Sequence, residues 1–72
     1  MNAEQAEAAA RTAVEEKYPV DTTVRHRTLP LILGNVTGYG MEPFTGDPLV
    51  MVQWPGMPKS VGYQSDEIRP EA

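Results

Sequence analysis

From Arg25 to Pro70 the chain alternates short apolar runs of β type with glycine and proline: VRHRT, LILGNVTGYG, DPLVMVQWPG and SVGYQSDEIRP. Runs this short and this closely spaced predict strands joined by turns, because none is long or one-sided enough to bury itself alone. The strands expected are Thr22–Thr28, Leu31–Tyr39, Leu49–Trp54, Ser60–Gln64 and a last one around Ile68. Within Leu49–Trp54 the alternation separates Val50, Val52 and Trp54 from Leu49, Met51 and Gln53, and the first set is the better core face. Pro55-Gly56 marks a tight turn. Gly40–Pro48 reads as a long loop with Phe44 at its middle, a common recognition device. Pro70–Ala72 reads as a disordered tail.

Ahead of the strands, Asn2 to about Lys17 carries helix signals. Asn2 with Gln5 three residues later is an Asn variant of the capping box, and Glu4 and Glu7 suit the positive end of the helix dipole. Glu7 and Arg11 are spaced to pair on one face. Five alanines between Ala6 and Ala13 supply propensity, and Pro19 stops the helix beyond Tyr18. The apolar stripe of Ala3, Ala6, Ala10, Ala13 and Val14 is weak, since alanine buries little area. It suits light docking over Leu49 and Met51, or packing against a second copy, with Tyr18 and Val20 anchoring the C-terminal end. The expected layout is a helix over 1–18, a barrel over 19–70 and a tail at 71–72.

With 72 residues and no cysteine, the chain has room for one small core and no thiolate metal site or disulfide to staple it. It carries no apolar run near the roughly 20 residues that span a bilayer, and no signal-peptide pattern at its start. A soluble, cytoplasmic protein is expected. The formal charge of -4 is uneven, with net -3 over residues 1–21, +1 over 22–60 and -2 from residue 61 on. Such acidity argues against a general nucleic-acid coat, which needs clustered Lys and Arg.

The patterns V-R-H-R-T, G-x-V-x-G-Y, L-V-x-V-x-W-P-G and Y-x-x-D-E-I-R-P over about residues 22–70 resemble the SH3-like small β-barrel superfamily, with KOW and Tudor domains as the nearest in style. The resemblance implies an all-β, SH3-like small barrel of about five antiparallel strands preceded by one α-helix. It also implies binding rather than catalysis, and barrels of this kind occur often in phage and bacterial accessory proteins. The acidic-aromatic strand of peptide-binding SH3 domains is absent, so recognition of PxxP segments does not carry over.

Catalysis finds little support in the residues. His26 is the sole histidine, and neither Ser60 nor Ser65 stands in a nucleophile elbow. One histidine and scattered carboxylates make neither a zinc set nor a calcium loop, so no metal and no cofactor is expected. What stands out is aromatic. Tyr39, Met41, Phe44, Trp54 and Tyr63 form the expected partner-binding set of a non-enzymatic interaction module, engaging a protein or a second copy through buried aromatic anchors. Met41, Met51 and Met57 add an adaptable contact surface. The alternative is an accessory nucleic-acid binder with Arg25, Arg27 and Lys59 on phosphates and Tyr39 or Phe44 stacking on bases. Val24 pointing inward would put Arg25 and Arg27 on the outer face and His26 inside.

Overall fold

A computed structural model describes residues 3–71, and within them all side chains but those of Ala3, Glu4, Glu7 and Pro30. It contains one helix, α1 (Ala3–Lys17), and five strands: β1 (Thr23–His26), β2 (Leu29–Met41), β3 (Pro48–Gln53), β4 (Val61–Tyr63) and β5 (Ile68–Pro70). The strands form one antiparallel sheet in the order β4-β3-β2-β1-β5. Its edges, β4 and β5, are not paired to each other. The expected capping by Asn2 and the Glu7–Arg11 pair lie outside the described residues and side chains.

The strand alternation decides the core. Val36 faces Val52 across the β2–β3 ladder and Val52 faces Val61 across β3–β4, so all three share one side of the sheet. Val24, Val36, Val50, Val52, Trp54 and Ile68 are buried on that side. A bulge between Val36 and Gly38 shifts the register, so that Tyr39 rather than Gly38 comes opposite Val50 and joins the core side.

The helix docks on this core side through two residues four apart, Val14 and Tyr18, both buried. This corrects the expectation that its alanine face covers Leu49 and Met51: Ala6, Ala8, Ala9, Ala10 and Ala13 are exposed. Alanine offers too little area to hold the helix, whereas Tyr18 inserts a whole ring and hydrogen-bonds with its far end. Its hydroxyl lies 2.9 Å from the main-chain oxygens of both Ser65 and Ile68, which share its single proton. The main-chain oxygen of Tyr18 in turn accepts from the Tyr39 hydroxyl at 2.7 Å. Val20, expected to share the anchoring, is half exposed. On the opposite side of the sheet Leu49 and Met51 lie over glycines: a β-carbon at Gly62 would sit 3.1 Å from Leu49 and 3.2 Å from the Met51 sulfur.

Turn chemistry fixes the connections. Pro55 and Gly56 are the central residues of a type II turn, closed by the Met57 N–H on the Trp54 oxygen, with Gly56 at φ 79°. The β2–β3 loop is shorter than its sequence suggests. Met41 still pairs with Pro48, and the Gly46 N–H closes on the Glu42 oxygen with Gly46 at φ 76°. Of the expected tail, Ala72 lies outside the described residues, and Pro70 and Glu71 are held in place. Pro70 pairs with Val24, and the Glu71 N–H donates to the Thr23 oxygen at 2.9 Å. Proline is tolerated there because β5 is an edge strand.

Candidate functional site

The β1–β2 hairpin is irregular. Arg25 pairs with Leu33 but its neighbour His26 pairs with Leu29, so residues 30–32 are pushed out of the ladder. On its other side β2 meets β3 only from Asn35 onward. The segment 29–33 therefore runs beyond β3, bulges from β1 at residues 30–32, and carries apolar side chains into solvent, Leu31 at 92% exposure and Leu29, Ile32 and Leu33 partly exposed.

Between this bulge and the Pro55-Gly56 turn lies a cleft of about 250 Å³, lined by His26, Leu29, Ile32, Trp54, Pro55, Met57 and Tyr63. Its rings hold one another in place. The Trp54 indole N–H donates to the Tyr63 hydroxyl at 2.9 Å, with the two rings edge to face at 5.8 Å. Tyr63 meets His26 in the same manner at 5.3 Å. His26 is oriented from behind, because its Nδ1 accepts the Thr28 main-chain N–H at 3.1 Å and lies 2.9 Å from the Thr28 hydroxyl. The turn forming the far wall is tied back by Gln53, whose side-chain amide donates to the main-chain oxygens of Trp54 and Met57. Trp54 itself rests on Gly34, where any side chain would collide with its ring.

This wall has no charged residue. It is also small: pockets for drug-sized ligands run from roughly 300 to 1,000 Å³, so the cleft suits one or two aliphatic side chains better than a cofactor. A second hollow of about 320 Å³ is polar, lined by Asp47, Pro48, Gln64, Ser65 and Asp66. Among the described residues no group of three or more His, Cys, Asp or Glu is placed to hold a metal ion.

The five residues expected to form a partner face are divided. Trp54 and Tyr63 come together in the cleft, Trp54 serving both as buried core and as cleft wall. Tyr39 and Met41 lie toward the other end of β2, opposite Val50 and Pro48, and Tyr39 is committed to the helix end. Phe44 stands alone at the tip of its turn, 94% exposed. Of the cationic set, Arg25 lies 3.6 Å from Glu71, and the Arg27 guanidinium donates to the Asp66 main-chain oxygen at 3.0 Å. Lys59 is exposed in the β3–β4 connection. His26, Leu29, Ile32 and Pro55 were not singled out as site residues from the sequence. The signal for Leu29 and Ile32 is the run Leu29–Leu33, too continuously apolar for a half-buried strand; His26 and Pro55 carry no such signal.

No protein-family model, curated protein or solved structure matches the chain. No helix among the described residues is long and apolar enough to cross a membrane.

Proposed function

We propose that the chain is a non-enzymatic protein-interaction module of the SH3-like small-barrel type, which takes an apolar side chain of a partner protein into the cleft beside the β1–β2 bulge. The strand order and a long β2 shared between both halves of the sheet support the barrel type. The observation that carries the function is the cleft itself: an uncharged hollow walled by Trp54 and Tyr63, braced by His26, and rimmed by half-exposed Leu29, Ile32 and Met57. Rigid aromatic side chains that are already hydrogen-bonded lose little entropy on contact, which is why such groups dominate interface energies. The methionine on the rim can adapt to the shape that enters.

The nucleic-acid reading is weakened by the company its cations keep. Arg25 is balanced by Glu71, and Arg27 is spent on a main-chain oxygen next to Glu67. Phosphate would have to compete with Glu71 for Arg25 and with the Asp66 oxygen for one N–H group of Arg27.

The test is an amide and indole NMR titration with N-acetyl-leucinamide as a minimal apolar anchor. The expected result is movement of the Trp54 indole N–H and of the Tyr63 and His26 ring signals, lost in Ile32→Asp. Shifts confined instead to Arg25, Arg27 and Lys59 on adding an oligonucleotide, and abolished by salt, would replace the module with a nucleic-acid binder.

A further inference from the structure

The bulge and the cleft lie side by side on one copy, yet neither satisfies the other. Leu31 is the most exposed aliphatic side chain described, and it does not line the cleft that its neighbours Leu29 and Ile32 wall. We infer that the partner is a second copy of this chain, docked about a two-fold axis so that the Leu31 of each copy enters the cleft of the other. This rests on the reading of the cleft as a receptor for an apolar side chain, and names what fills it.

Three observations converge on a second copy. The first is area. From their exposures, Leu29, Leu31, Ile32 and Met57 present roughly 450 Å² of apolar surface, a size at which an exposed patch marks an interaction site. Two such patches face to face remove up to roughly 900 Å² from water, the scale of a weak, transient interface.

The second is charge. The chain carries net -4, so copies repel each other over most approaches. Residues 28–34 and 54–58, which build the patch, carry no charge at all. The arginine paired across the strand from Leu33, Arg25, is already matched by Glu71 in its own copy. Two copies can therefore meet here with no charged side chain in the contact itself, while Arg25, Arg27 and Lys59 stay at its edge. Binding of an anionic lipid or nucleic acid through those cations would be weakened by salt, whereas contact between two apolar patches would not.

The third is self-complementarity. A two-fold interface requires that one surface supply both the projecting group and its receptor, and this surface does: an aliphatic projection next to a hollow sized for an aliphatic side chain. Association also enlarges a core that a chain of 72 residues builds only sparingly alone.

The test is sedimentation equilibrium of the full chain from about 10 μM to about 1 mM, the range suited to an interface near the lower size limit. The mass should rise from 7.9 kDa toward twice that value. Leu31→Asp should weaken association at least about tenfold and leave the unfolding of dilute protein unchanged, because Leu31 touches little in its own copy. Leu31→Met should restore it. Met57→Asp, on the receiving side, should act like Leu31→Asp. A chain monomeric throughout the range, or a dimer indifferent to Leu31→Asp and Met57→Asp, overturns the inference. In either case N-acetyl-leucinamide shifts at Trp54 would keep the interaction-module reading, whereas silence there would remove both.

Discussion

Gly34 and Gly38 lie in the same strand, neither has a left-handed backbone, and their surroundings are opposite. A β-carbon at Gly34 would stand 2.6 Å from Cγ1 of Val52 and 2.7 and 2.9 Å from two carbons of the Trp54 ring. Those distances are about 1 Å inside ordinary carbon contact. One at Gly38 meets nothing within 4 Å. Val52 is fully buried and the indole is held by Tyr63, so neither neighbour of Gly34 can step aside alone. Gly34→Ala should therefore cost about 2–3 kcal/mol by overpacking, a fall in Tm of about 10–20 °C for a domain of this size. Gly38→Ala should be neutral or stabilising by about 0.5 kcal/mol, since alanine narrows the unfolded ensemble. Thermal unfolding followed by circular dichroism and by fluorescence of the single tryptophan measures both. The indole N–H resonance should move in Gly34→Ala alone. A Gly34→Ala protein melting within about 3 °C of the wild type would refute the packing of Trp54 on Gly34, and with it the position of the cleft wall.

Tyr18→Phe keeps the buried ring but leaves the Ser65 and Ile68 oxygens without their donor. It should cost about 1–2 kcal/mol in urea unfolding, and a loss below about 0.3 kcal/mol would dismiss the hydroxyl as a latch. Tyr63→Phe removes the acceptor of the Trp54 N–H and should cost about 1 kcal/mol, with the indole signal reporting a freed ring; an unmoved signal would count against that bond. Phe44→Ala should leave stability within about 0.5 kcal/mol, because the ring is exposed. A larger loss would mean that Phe44 packs against the domain.

Alternation and turn chemistry made the sheet legible. Val50, Val52 and Trp54 separate from Leu49 and Met51 by period, and Pro55-Gly56 allows little besides its turn. The helix was legible from its alanines and its anchor from Tyr18, though Val20 does not share that role. Of the weak alanine stripe, Ala6, Ala10 and Ala13 stay exposed and Val14 is buried, because a phenol that reaches two carbonyl oxygens outweighs several methyl groups. The site was harder to read. Two bulges break the strict alternation of β2, one bringing Tyr39 to the core side and one expelling residues 30–32. Register shifts of this kind depend on what lies across the ladder, so a pattern of period two cannot reveal them. Gly34 and Gly38 likewise look alike in G-x-V-x-G and differ through Val52 and Trp54, which are distant in sequence.

The place of the cleft follows from where the helix docks. A strand of thirteen residues is about twice as long as β3 can accompany, and a chain this short has one spare element to cover what remains. That element is committed by Tyr18 to the Ser65 and Ile68 oxygens, and Tyr39, opposite Val50, holds the Tyr18 main-chain oxygen. Among the described residues, the part of β2 that outruns β3 and bulges away from β1 is covered by the 54–57 turn rather than by the helix. An uncharged apolar segment left in that position is a liability for a monomer. Its retention beside a braced aromatic hollow is intelligible if another chain completes it. Moving the helix anchor would separate these roles: Tyr18→Ala, if it still folds at low temperature, should free the helix while leaving the Trp54–Tyr63 signals and the uptake of N-acetyl-leucinamide intact. Coupled loss of both at temperatures where β-structure persists would show that helix docking and the cleft are not independent.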